Sequence, residues 1–167
     1  MNKVVEFFND QSINSLNIKN LGSQKKWLKP EALWLDYSTF SFRCKSKTEN
    51  WFQVIVNNES GQTLWIKREK FTKFSSWAVY LKSKFVVERL PNHKQAIRML
   101  PLNSSPQIKY VGEDCFQIRS MKGEWIEVFT SDFCRSGYAD NNKTIVKSGW
   151  LKWKNANTLL INYLLAD

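Results

Sequence analysis

Apolar residues along this chain fall in short bursts, rich in β-branched and aromatic side chains and bounded by polar clusters. WFQVIV (Trp51–Val56) and WIEVFT (Trp125–Thr130) are the clearest. Such bursts read as strands, because branched and aromatic side chains pack well on a pleated, half-buried surface. After the first burst, NNESGQ (Asn57–Gln62) predicts a hairpin turn, with Gly61 free to adopt positive φ. At the same place after the second burst runs Thr130–Ser148, which contains Gly137, Asn141 and Asn142. A connection that long is either functional or mobile. Phe71, Phe74, Trp77, Ala78 and Leu81 recur at helical spacing, with Ser75 or Ser76 able to cap, and predict a short helix over 76–83. FVVERL (Phe85–Leu90) then reads as a strand and Pro91–Gln95 as a turn. The closing run TLLINYLLA reads as one final strand, apolar on both sides and so expected to be covered on both.

The bursts repeat. Phe42 to Trp51 and Phe116 to Trp125 both run nine positions from Phe to Trp through a polar turn. Trp51 then matches Trp125, Val54 matches Val128, and Leu64-Trp65-Ile66 matches Gly149-Trp150-Leu151. Upstream, Val4–Asn14 and Ala96–Pro106 both read as a short strand followed by a polar turn. Four pieces in one order imply a duplication. Trp27–Tyr37, WLKPEALWLDY, has no counterpart in the second copy. It reads as a strap over the core or, with Tyr37, as an aromatic wall for a ligand.

The order of these pieces resembles bacterial SH3-like domains, whose pattern is W-x-x-V, a hairpin, then G-W-[IVL]. The second copy carries Gly123-Glu-Trp125-Ile-Glu-Val128 and Gly149-Trp150-Leu151; the first carries Trp51-Phe-Gln-Val54 and Leu64-Trp65-Ile66, with leucine in place of the glycine. The resemblance implies an all-β protein of two small SH3-like barrels in tandem with a short connecting helix. On that plan residues 1–75 form the first barrel, 76–90 a connecting helix and strand, and 91–167 the second barrel. The resemblance also implies non-catalytic binding of a peptide, a cell-wall fragment or a protein partner.

Composition sharpens this picture in places. Among 167 residues there are 8 Trp, 11 Phe and 5 Tyr, and 43% are hydrophobic, which permits real cores. The net charge is +10, and it is uneven: residues 1–91 hold 15 basic against 8 acidic residues, net +7, and residues 92–167 hold 10 against 7, net +3. A basic first half suits anionic partners, although the charges are scattered and mixed in sign. The clusters Lys25, Lys26, Lys29 and Lys67, Arg68, Lys70, Lys73 read as a solvated face or as a grip on a polyanion such as nucleic acid. No stretch reaches the roughly 18 apolar residues of a membrane-spanning helix. The opening MNKVVEFFNDQS lacks the pattern of a secretory signal, so the expected compartment is the cytoplasm, or the cell envelope if a signal has been removed.

Catalytic chemistry finds little footing. There is one histidine, His93, in a predicted turn, and the three cysteines, Cys44, Cys115 and Cys134, show no metal spacing. Cys44 and Cys115 lie among strand residues and are expected to be buried apolar thiols, with one disulfide as the alternative that the spacing does not indicate. No phosphate-binding loop, nucleophile elbow or zinc motif is present. No cofactor, metal or enzymatic activity is therefore expected. In SGWLKW the alternation puts Trp150 and Lys152 on one face and Leu151 and Trp153 on the other. If Leu151 points inward, Trp150 and Lys152 form an outward pair suited to a carbohydrate or an anionic partner. The candidate ligand-binding residues are Trp51, Trp125, Tyr37, Trp150 and Lys152. The opposing reading makes the tryptophans core-edge residues, or buries them in a homodimer.

Overall fold

In the computed structural model the described residues are 3–7, 27–34, 39–70, 72–132 and 145–164. They are mostly β-strand, with one short helix among them, and the chain divides into two units at Trp77/Ala78.

Unit 1 holds β1 (Lys3–Phe7), β2 (Ala32–Trp34), β3 (Thr39–Lys47), β4 (Trp51–Asn57), β5 (Gln62–Lys67) and β6 (Thr72–Ser76). They form an open antiparallel sheet in the order β5-β4-β3-β1-β6, with β2 also paired to β3. Strand alternation makes the core. Phe40, Phe42 and Cys44 of β3 turn to one side, where they meet Phe52, Val54 and Val56 of β4, Val5 of β1 and Leu28. The β4–β5 hairpin closes as the Asn-Gly chemistry predicts. The Asn57 side-chain oxygen accepts from the backbone N–H of Glu59 (2.9 Å) and Ser60 (3.0 Å), and Gly61 sits at φ 73°. The 27–34 segment is tied down as a strap: Lys29 N–H donates to the Val56 carbonyl and the Lys29 carbonyl accepts from Asn58 N–H, both at 2.8 Å. Leu28 and Leu33 reach the core, while the Trp27 ring stands exposed.

The helix α1 (Trp77–Lys82) begins at the division, one residue inside the predicted span. Unit 2 continues with β7 (Val86–Arg89), β8 (Phe116–Lys122), β9 (Trp125–Thr130), β10 (Gly149–Lys152), β11 (Lys154–Asn155), β12 (Thr158–Leu159) and β13 (Ile161–Leu164). Its main sheet is open and antiparallel, in the order β10-β9-β8-β7-β13. Val86, Val87, Phe116, Ile126, Val128, Leu151 and Ile161 are all buried. Tyr80 of α1, fully buried, packs edge-on to Tyr163 with ring centres 5.5 Å apart. A buried ion pair closes the other side. Arg89 donates from Nε (2.7 Å), Nη2 (2.6 Å) and its own backbone N–H (2.9 Å) to the two carboxylate oxygens of Asp114.

The two sheets share one plan, with β7, β8, β9, β10 and β13 in the places of β1, β3, β4, β5 and β6. Even the register irregularities coincide: a bulge falls between Cys44 and Ser46 on β3, and another between Ile118 and Ser120 on β8.

Three readings of the sequence are corrected here. The counterpart of β1 is β7, not Ala96–Pro106, so the strand after the helix belongs to the second sheet. A short apolar run followed by a polar turn is too generic a pattern to fix which strand pairs with which. The closing apolar run is two strands, because Leu160 N–H turns aside to the Trp153 carbonyl at 2.9 Å and leaves Thr158–Leu159 paired with β11. Cys115 is disulfide-bonded rather than a free thiol, whereas Cys44 is free and buried. Cys134 lies outside the described residues, as does most of the Thr130–Ser148 connection.

Candidate functional site

Because β4 sends Phe52, Val54 and Val56 into the core, Trp51 and Gln53 must stand on the opposite face. The antiparallel register puts Lys67 opposite Trp51 and Trp65 opposite Gln53. Trp51 and Trp65 are thus diagonal neighbours on one face, close enough for both rings to touch one ligand. They are 45% and 50% exposed, high values for so large a side chain. With Thr48 they line a hollow of about 350 Å³. Thr48 holds Trp51 from the turn: its hydroxyl accepts from Trp51 N–H (3.1 Å) and its N–H donates to the Trp51 carbonyl (2.9 Å). Beside the rings runs a polar chain. The Ser46 hydroxyl donates to the Gln53 side-chain oxygen (3.0 Å), and the Gln53 amide donates to the Thr63 hydroxyl (3.4 Å).

A second hollow, of about 460 Å³, lies on the other side of Thr48 and is lined in part by Lys47, Phe52, Arg68 and Phe74. Phe52 and Phe74 stack at 5.3 Å, and the Lys47 ammonium sits 4.8 Å from the Phe74 ring centre. The Lys47 ammonium over the ring and the Arg68 side chain on the lining outnumber the one carboxylate there, Glu49, and so favour an anionic group on a ligand.

Unit 2 carries the same arrangement in altered form. Lys152 lies opposite Trp125 and Trp150 opposite Glu127. Ser120 and Ser148 hydroxyls donate to Glu127 at 2.7 and 2.8 Å, just where Ser46 and Thr63 flank Gln53. Those bonds, the Ser120 one first, then Ser148, hold the Glu127 carboxyl below its ordinary range, burial working against them. Yet this face is less open. Trp125 and Trp150 are partly buried, and Leu151 and Trp153 point into the core. The Lys152 ammonium lies 5.5 Å from the Trp125 ring centre and 3.8 Å from Glu124.

Of the candidate residues, Trp51 stands on the open shelf of unit 1. Trp125, Trp150 and Lys152 stand together on the partly closed equivalent in unit 2, and Tyr37 lies outside the described residues. The shelf's other ring, Trp65, is one of the four repeated tryptophans but not one of the favoured ligand-binding residues. Its signal was the match of Leu64-Trp65-Ile66 to Gly149-Trp150-Leu151. Of the basic clusters, Lys29 pairs with Glu59, Arg68 lines the second hollow, and Lys25 and Lys26 lie outside the described residues.

Among the described residues no three His, Cys, Asp or Glu side chains gather as a metal site would require. Burial pushes the Cys44 thiol up from its ordinary range, against the nearby Lys47 charge, and the thiol contacts the Ser46 carbonyl at 3.2 Å. No described helix is long and apolar enough to cross a membrane. Compared with known proteins, the chain matches no family model, no curated sequence and no solved structure.

Proposed function

We propose that this protein is a non-catalytic binding module built from two SH3-like barrels, and that unit 1 carries its main ligand surface. The strand order common to both units, and their shared bulge, support the tandem reading. The observation that carries the binding reading is the Trp51–Trp65 shelf, two exposed indoles clamped beside a polar chain. Flat apolar rings next to amide and hydroxyl groups suit a peptide or a cell-wall fragment, which offers apolar faces and polar edges together. The partner is accordingly a peptide, a cell-wall fragment or a protein displaying one.

The test is co-sedimentation with insoluble peptidoglycan at low and high salt. Pelleting that persists at high salt and falls at least tenfold in Trp51→Ala and Trp65→Ala supports the reading. Pelleting that is indifferent to both substitutions overturns it. A second reading rests on the Lys47–Arg68 hollow and the +10 charge: a polyanion such as nucleic acid bound by charge. Its mark is affinity that falls steeply, as a power of salt concentration.

A further inference from the structure

The two units treat equivalent strand edges differently. In an antiparallel pair, alternate residues turn their backbone N–H and C=O toward the partner or away from it. Arg68 N–H donates to the Asn50 carbonyl at 2.8 Å, which marks residues 64, 66 and 68 as facing β4. Thr63, Trp65 and Lys67 therefore turn their backbone groups outward, away from the sheet. Their counterparts in unit 2 are Ser148, Trp150 and Lys152.

In unit 2 this edge is occupied by the chain itself. Arg98 N–H donates to the Trp150 carbonyl (2.9 Å), and Trp150 N–H donates back to the Arg98 carbonyl (2.7 Å). One step along, the Gln95 side-chain amide satisfies Lys152 in both senses, donating to its carbonyl (2.6 Å) and accepting from its N–H (2.8 Å). Residues 95–98 are thus a short added segment, bridged to the edge at Arg98 and clamped to it by the Gln95 side chain. In unit 1, β5 ends its sheet with no such segment among the described residues. Apolar side chains stand exposed on both of its faces, Leu64 at 44% and Trp65 at 50%. Edge strands of natural proteins are usually blunted by charge or covered; here Lys67 guards one end only.

We infer that the β5 edge of unit 1 binds an extended peptide strand, in the way that β10 holds residues 95–98. This deepens the reading of the Trp51–Trp65 shelf and rests on it, by naming the ligand as a peptide. The partner's chemistry follows from the differences between the copies. Gly149 leaves room for Ile97, whose methyl would lie 2.4 Å from a Cβ at that position. Leu64 fills that place in unit 1, so the peptide carries a small residue there. The next residue shares a face with Trp65 and with Lys67, so an acidic side chain belongs where unit 2 has Arg98. A glutamine three residues earlier would clamp Lys67 as Gln95 clamps Lys152. The ligand is an extended, acidic peptide of the pattern Gln, any residue, small, acidic.

The probe is a capped hexapeptide copying residues 95–100 with alanine for Ile97 and glutamate for Arg98, net charge −1. Amide exchange of Thr63, Trp65 and Lys67 is read by NMR with and without it. The expected result is fast exchange in the free protein and at least tenfold slower exchange with peptide. Thr63→Pro removes one outward N–H, together with the hydroxyl that accepts from Gln53, but no backbone bond to β4 and neither indole; Thr63→Val removes the hydroxyl alone, so peptide binding should weaken at least tenfold in the proline variant and not in the valine variant. Amides already protected in the free protein, peptide binding that slows none of the three, or no binding at millimolar peptide would each overturn the inference. Should the tryptophan variants lose wall pelleting while the peptide leaves these amides unchanged, the shelf reading stands and the strand reading falls.

Discussion

Gly149 offers the sharpest test of the segment laid along β10 in unit 2. A Cβ placed there would lie 2.4 Å from Ile97 Cγ2, 3.1 Å from Ile108 Cδ1 and 3.2 Å from Val146 Cγ1. Carbon pairs rest at about 3.5–4.0 Å, so Ile97 would have to recede by roughly an ångström or more. It has little freedom to do so. Ile97 is buried, its carbonyl accepts from Ile108 N–H (2.8 Å), and its neighbour Arg98 is bonded twice to Trp150. Overpacking of this kind costs about 1–3 kcal/mol. Replacing glycine also narrows the unfolded ensemble, which offsets about 0.4–1 kcal/mol. Gly149→Ala should therefore destabilise unit 2 by about 1–2 kcal/mol. The assay is denaturant-dependent amide exchange at Ile126, Val128 and Leu151, which lie in unit 2. Ile97→Ala alone should cost about 2–5 kcal/mol by leaving a cavity. The double variant should cost less than the sum of the two, by about 1–3 kcal/mol, because the added methyl then enters space already vacated. Strict additivity, or a neutral Gly149→Ala, would show that residues 96–98 yield easily, and the account of this edge would fail.

Two further outcomes follow from the buried polar groups. Asp114→Asn leaves the Arg89 guanidinium charged, nine-tenths buried and without its counter-charge, so unit 2 should lose about 3–5 kcal/mol in urea unfolding; a loss well under 1 kcal/mol would mean that water reaches the pair. The Glu127 carboxyl, held down mainly by Ser120 and then Ser148, titrates below an unfolded glutamate, so its stabilisation is complete above the unfolded value and is lost as pH falls through the folded one. NMR titration should find that carboxyl below the ordinary range in the native protein and moved upward in Ser120→Ala, and an unmoved value would reject the hydrogen bond as the cause.

The chain announced its strands and its duplication plainly. Phe42, Trp51, Val54 and their partners Phe116, Trp125, Val128 repeat because each pair fills one place in one plan. For Trp150 against Leu151 and Trp153 alternation allows two answers that the residues alone do not separate, and the structure takes the one with Leu151 and Trp153 inside. What stayed hidden was pairing between distant segments. Nothing local distinguishes Ala96–Pro106, which runs beside β10, from a first strand such as Val4–Phe7. Trp65 ranks below its repeat partners for a related reason: its exposure reflects that no described strand pairs beyond β5, and nothing near position 65 records that. The disulfide at Cys115 escaped because an odd cysteine count at irregular spacing carries no pairing information.

The connection between the third and fourth strands of the shared plan differs sharply between the copies. Four residues, 58–61, join β4 to β5, whereas 18 residues, 131–148, join β9 to β10. The strand order is unchanged by the difference. In general, closing a flexible connection of 18 residues instead of four costs only about 1.3 kcal/mol more, since the cost grows with the logarithm of length. The Asn58–Gly61 turn is thus a natural graft point. A foreign segment of similar length, spliced there, would be displayed at the far end of the hairpin from Trp51, on a frame whose other copy already carries such a burden.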